Sequence, residues 1–260
     1  MEVVILPTGQ QVAELAAAAV VGLLQRKADA VLGLATGSSP LGVYRELASL
    51  HDAGRVSFAH ARGFLLDEYV GLPDGHPQRY RSVIRRELES GVDFGPAAVV
   101  GPDGLADDLP TACADFERAI AAAGGVDLQL LGIGSDGHIA FNEPGSSLVS
   151  RTRVKTLTAQ TRADNARFFD SPDEVPRHVL TQGLATIGQA RHLVLLATGP
   201  GKAAAVREMV EGPVSAACPA SVLQLHAHVS VLVDEAAARR LSLADYYLEA
   251  YAGKPAWQGL

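Results

Sequence analysis

Residues 126–138 read VDLQLLGIGSDGH. An apolar run stops at Ile133 and gives way at once to glycine, serine, aspartate and histidine. A short leucine-rich run bounded by glycine is the pattern of a strand covered on both faces, as in a parallel sheet. The polar residues that follow are poor core builders, so they belong to a strand end. Five further segments look alike: VVIL (3–6), AVLGLA (30–35), GFLLD (63–67), HLVLLAT (192–198) and VSVLVD (229–234). Helical patterns lie between them, among others at 9–27, 41–54, 110–123 and 202–211. This alternation predicts an α/β fold, a three-layer doubly wound (Rossmann-like), mostly parallel sheet with helices on both faces. Residues 151–182 are polar, charged and interrupted by two prolines. They are expected to form a lid-like excursion from a single domain spanning 1–260.

The 260 residues, 48% hydrophobic and 20% charged, are enough for a core without covalent staples. Cys113 and Cys218 are far apart and form no CxxC pair. That argues against a disulfide framework or thiolate metal site and for a reducing, cytoplasmic setting. A net charge of −7 without a Lys/Arg run argues against nucleic acid as a partner. The richest apolar segment, VAELAAAAVVGLL (12–24), carries a glutamate and is too short to span a membrane. The first ten residues lack the basic-then-apolar pattern of a signal peptide.

In open parallel sheets ligands bind at the carboxyl ends of strands. Four such ends carry polar turns: TGSSP (36–40), DEYVGL (67–72), SDGHIAFNEP (135–144) and TGPGK (198–202). Gly37, Ser38 and Ser39 offer backbone and hydroxyl donors ahead of a helix, which suits an anion. Such a turn is by itself more often a plain helix cap, but TGPGK repeats the chemistry with Lys202. Two such loops on neighbouring strands shift the reading toward a phosphate cup. Asp67, backed by leucines, is either a turn cap or a partly buried base whose pKa rises toward neutrality. Asp136 and Glu143 flank His138, and a carboxylate on one ring nitrogen leaves the other free to exchange protons. No HExxH, GxSxG or Walker pattern occurs, which argues against a metal site or a serine nucleophile, and no dinucleotide site is expected. The residues alone therefore describe proton transfer on a small phosphorylated molecule.

The stretches LGLATGSSPLGVY, LLDEYVGLP, GIGSDGHIAFNEPGSSLVSRTRVKTLT, ARFFD and VLQLH occur in this order over nearly the whole chain. Together they resemble the glucosamine-6-phosphate deaminases. Related 6-phosphogluconolactonases share the fold and a DGH element but lack the IAFNEP continuation.

The resemblance implies conversion of glucosamine 6-phosphate and water to fructose 6-phosphate and ammonia, with no metal or organic cofactor. It implies that His138 opens the sugar ring, Asp136 and Glu143 orient that imidazole, and Asp67 moves a proton from C2 to C1. It assigns the phosphate to Gly37, Ser38, Ser39, Lys202 and Arg167, the last carried by the excursion. It further implies a homo-oligomer, a hexamer in some members, activated by N-acetylglucosamine 6-phosphate at Ser146, Arg153, Lys155 and Thr156. The alternatives are a lactonase of the same fold and a non-enzymatic sugar-phosphate sensor.

Overall fold

The computed structural model describes residues 1–255 and 257–260, the side chains at 160 and 164 excepted. Among these, the elements run β1 (Glu2–Leu6), α1 (Gly9–Arg26), β2 (Val31–Leu34), α2 (Leu41–Asp52), β3 (Arg62–Leu65), β4 (Asp67–Tyr69) and α3 (Tyr80–Glu87). There follow β5 (Val99–Val100), α4 (Leu109–Ala122), β6 (Leu128–Gly132), β7 (Arg153–Thr156), α5 (Ala159–Asn165) and β8 (His178–Thr181). The chain closes with α6 (Leu184–Ile187), β9 (His192–Ala197), α7 (Ala203–Glu211), β10 (Val229–Asp234), α8 (Glu235–Ala238) and α9 (Ala244–Ala252).

Seven strands form one sheet in the order β1-β10-β9-β6-β2-β3-β5, and every pairing in it is parallel. Its central strands are apolar because both faces are covered: β2 is buried along its whole length, and so is β9. From β2 the chain winds outward through β3 to β5. From β6 it winds the other way through β9 to β10. Right-handed crossovers then put α1 and α2 on one face and α4 and α7 on the other. The reversal falls between β2 and β6, which are hydrogen-bonded neighbours. At such a switch point the two outgoing loops diverge to opposite faces and leave a crevice at the carboxyl ends of the strands.

A second sheet, β4-β8-β7, is antiparallel and was not anticipated from the sequence. It takes in both ends of the 151–182 excursion, which returns through β8 to pair with β4. Asp67 stands opposite Thr181 and Thr181 opposite Arg153, so the three share one row across this sheet. A small aromatic and aliphatic cluster holds the excursion to β4: Tyr69, Leu72, Phe141, Leu157 and Val179 are buried together, with Tyr80 and Phe169 against them. No described helix is long and apolar enough to cross a membrane.

Candidate active site

The loops after β2 and β6 meet at the switch point. Gly37 adopts φ +88°, a backbone conformation open mainly to glycine, and turns the chain so that Ser38 and Ser39 precede α2. Ser39 reaches across to β6: a Cβ on Gly132 would lie 3.3 Å from its Oγ. Ala35, at the end of β2, is fixed from behind by the Tyr44 hydroxyl, which donates to its carbonyl at 2.6 Å.

The loop after β6 folds back on itself. Gly134 N donates to the His138 carbonyl at 2.9 Å, and Gly137 N to the Gly134 carbonyl at 3.1 Å. The imidazole of His138 lies against the Gly134 backbone so closely that an added Cβ would sit 2.2 Å from Cε1. Glycine is therefore required there on steric grounds alone. Asp136 Oδ1 is 2.6 Å from His138 Nδ1 and also accepts from the His138 backbone N–H at 3.2 Å. The imidazole holds the Asp136 carboxyl down at about 2, chiefly through the side-chain contact, which outweighs the opposing effect of burial, with the charge of His138 adding to it.

Asp67 has the opposite environment. It opens β4, is 5% exposed, and its carboxyl is pushed up to about 8, chiefly by burial and then by the charge of Glu68. Asp67 thus stands just past β3 of the first sheet, as expected, and also opens a strand of the second.

Lys202 ends a single 3-10 turn, Pro200–Lys202, and stands at the N-terminus of α7. Asp234 secures this loop by accepting from Gly199 N at 3.0 and 2.9 Å. The Lys202 ammonium is held below the usual lysine range by burial, with Arg167 adding to the effect and Asp136 opposing it. The charges of Arg167 and Asp136 are thus both felt at Lys202. Arg167 is exposed on the turn Ala166–Phe168, its guanidinium carbon 4.7 Å from the centre of the Phe168 ring. Gly37–Ser39, Asp136 with His138, and Lys202 follow the carboxyl ends of the neighbouring strands β2, β6 and β9, and Asp67 comes two residues after the end of β3.

Glu143 is placed differently from the expectation that it orients His138. Its Oε1 accepts from Thr158 at 3.3 Å and from the Thr161 hydroxyl, both at the start of α5. No described contact joins it to the imidazole. It ties the loop after β6 to the excursion instead. Arg153 and Lys155 project from one face of β7, an edge strand, and Thr156 alternates to the other. Ser146 is buried, and its hydroxyl has no partner among the described residues.

Three residues were not singled out from the sequence. Tyr69 accepts a hydrogen bond from Asn165 at 3.0 Å, packs on Tyr80 at 4.8 Å and on Phe169 at 5.8 Å. It joins the base-bearing strand to the excursion. Glu68, next to Asp67, turns into the N-terminus of α3. The aromatic spacing DEY…Y offered a signal for Tyr69 and Tyr80, but nothing local identified their partners.

The family described as glucosamine-6-phosphate isomerases/6-phosphogluconolactonase matches residues 8–232. The chain is 66% identical to a glucosamine-6-phosphate deaminase of Mycolicibacterium smegmatis and 60% identical to one of Streptomyces coelicolor, in both cases over the full length of each protein. A solved structure described as a monomeric glucosamine-6-phosphate deaminase is 43% identical, with a TM-score of 0.90, covering 92% of this chain and 100% of the other. The 6-phosphogluconolactonase of Trypanosoma brucei shares the fold, with a TM-score of 0.70 at 23% identity over 93% of this chain and 98% of the other. By its sequence and by its fold, the chain belongs to the glucosamine-6-phosphate isomerase/6-phosphogluconolactonase family.

Proposed function

We propose that this protein is a glucosamine-6-phosphate deaminase, converting glucosamine 6-phosphate and water to fructose 6-phosphate and ammonia in amino-sugar breakdown, as one catalytic unit over residues 1–260. The observation that carries the reading is the pairing of a buried, proton-holding Asp67 with an ionised Asp136 against His138 at a single strand-end crevice. Full-length identity to relatives that bear this name supports it.

The phosphate anchors on the Gly37–Ser39 turn, Lys202 and Arg167, where backbone donors, the N-terminal ends of α2 and α7 and two cations offset the protein's negative charge. Asp136 holds Nδ1 of His138, so Nε2 exchanges the proton that moves between O1 and O5 as the ring opens. Asp67 then takes the C2 proton and delivers it to C1. The enol-type intermediate lies between these two transfers; protonation at C1 turns it into the C2 imine, which adds water and loses ammonia to leave the C2 ketone. A buried carboxyl raised to about 8 does not ionise readily by itself near neutrality. The ammonium on C2 of the substrate brings the positive charge that favours its ionisation, and a sugar with a hydroxyl there does not. Anchoring one end of the sugar while separate groups act on O5 and C2 turns the proton transfers into intramolecular steps.

Within the same reading, Ser146, Arg153, Lys155 and Thr156 form a candidate activator site, supported by the two cations that share a face of β7. Hexamer formation and action in the cytoplasm complete the reading. The test is purified protein with glucosamine 6-phosphate, following ammonia and fructose 6-phosphate together. Equal release supports the proposal; lactone hydrolysis without ammonia would replace it. Adding N-acetylglucosamine 6-phosphate at low substrate and weighing the protein by light scattering test the activator and the oligomer. Unchanged kinetics would remove the first, and a monomer mass the second.

A further inference from the structure

Glu68 has no part in the proton path above, yet it is the most deeply buried carboxylate among the described residues, at 1% exposure. Its oxygens are fully engaged by backbone. Oε1 accepts from the N–H groups of Tyr69 and Tyr80, and Oε2 from that of Arg81, each at 2.9 Å. Arg79 Nε lies 3.8 Å from Oε2. Burial pushes the Glu68 carboxyl up, and these donors and the guanidinium pull the other way. Three N–H donors aimed at two oxygens favour the charged carboxylate and oppose the rise that burial causes. The helix it caps begins at Tyr80 and has no cap from the residue before it, Arg79. A side chain twelve residues upstream fills that role, which joins β4 and α3 into one unit.

We propose that Glu68 is a positioning residue for the reaction: it anchors β4 to the start of α3 so that Asp67 faces the crevice, and it sets a fixed negative charge beside the Asp67 carboxyl. The inference rests on the deaminase reading and assigns within it a residue that touches no reacting atom. Two consequences are separable. Loss of the anchor disturbs where Asp67 stands. Loss of the charge alone removes one of the two influences that keep the proton on Asp67, the other being burial. The remaining titratable and charged groups facing the pair are Arg79, Tyr69 and Tyr80, while β8 contributes the neutral Thr181 opposite Asp67.

The test compares Glu68→Gln and Glu68→Asp with the wild type across the pH range. Gln keeps the size and most acceptor capacity but not the charge. Its acid limb of kcat against pH is expected at lower pH than in the wild type, so that activity at the acid end, relative to the plateau, rises several-fold while KM stays nearly constant. Asp keeps the charge, so its limb is expected in the wild-type position, with a lower plateau because the shorter side chain loses reach to Arg81 N. A Gln variant whose whole profile drops with the limb unmoved would overturn the proposal and leave Glu68 as a structural cap only. If Gln prevents folding, a limb that shifts in the Asp variant overturns it as well. A wild type that releases no ammonia would refute the deaminase reading separately. The proposal is then read from the carboxyl-carbon NMR titration of Asp67, which must move to lower pH in the Gln variant and would refute it by staying in place.

Discussion

Replacing Asp67 by Asn should stabilise the protein as strongly as it inactivates it, and the gain should depend on pH. In the folded chain the carboxyl keeps its proton to about 8, against an ordinary value of 3.8. In the unfolded chain it ionises near its ordinary value. Between those two points the unfolded state has released a proton that the folded state retains, so the wild type loses stability as pH rises and levels off above the folded pKa. Asn carries no proton and has no such slope. At about 1.4 kcal/mol per unit over roughly four units, the gap between variant and wild type opens to about 6 kcal/mol at most. Water entry around the charged carboxylate reduces that figure, so a gain of about 2 kcal/mol or more between pH 5 and pH 9 meets the expectation. Urea unfolding of both proteins at a series of pH values measures it. Over the same series turnover should fall by about a hundred- to ten-thousand-fold with little change in KM, since the variant removes a general base and not the phosphate anchor. Stability curves for the two proteins that run parallel at every pH would refute the argument, because they would mean that Asp67 ionises in the fold as it does in water.

Three further outcomes follow from the same geometry. Lys202→Ala removes a charge-assisted contact to phosphate and should raise KM by about ten- to a hundred-fold with a smaller effect on kcat; a fall in kcat alone would place Lys202 outside the anchor. Asp136→Asn should lower turnover by about a hundred-fold or more by freeing the His138 ring. Because the Asp136 carboxyl sits at about 2 in the fold, its stabilising effect is complete above about pH 4 and vanishes on going down to about 2; acid unfolding that shows the two proteins equally separated at every pH would contradict this. Gly134→Ala puts a methyl 2.2 Å from His138 Cε1 and 2.7 Å from Asp136 Oδ1. The imidazole must move, so turnover should collapse in a protein whose far-UV circular dichroism is unchanged and which loses about 1–3 kcal/mol of stability.

What could be read from the sequence follows from where burial comes from. β2, β6, β9 and β10 draw theirs from helices on both faces, so they are apolar runs and stand out in the chain. β4, β7 and β8 are three or four residues each, DEY, RVKT and HVLT, and are covered by one another and by aromatic residues of the excursion. No periodicity survives in so few residues, and the second sheet was therefore invisible. The site divides the same way. Asp67, Asp136, His138 and the two glycine turns were legible because the strand-end rule says where to look. Glu143 was assigned to His138 through resemblance, whereas its partners, Thr158 and Thr161, lie 15 and 18 residues away on the excursion. The hydrogen bond between Tyr69 and Asn165 spans 96 positions. Contacts of that kind depend on the path of the chain, which composition and spacing do not encode.

The two aspartates explain why both sheets are needed. A single crevice must hold one carboxylate that never gives up its charge and one carboxyl that takes on charge only on demand. The parallel sheet supplies the first: the loop after β6 leaves Asp136 half exposed and 2.6 Å from an imidazole, and both conditions favour ionisation. The antiparallel sheet supplies the second by wrapping Asp67 in β8 and the excursion, beside another carboxylate and with no cation in direct contact. Environments that push two like groups in opposite directions are how one site does acid and base chemistry at a single pH. The excursion is then more than a cover. It carries β8, which pairs with the strand of Asp67, and β7 beyond it, Arg167, whose charge is felt at Lys202, and Thr158 and Thr161, which hold Glu143. A change in its position acts on all three at once, so Asp67 can keep its proton in the empty site and release it when an ammonium arrives.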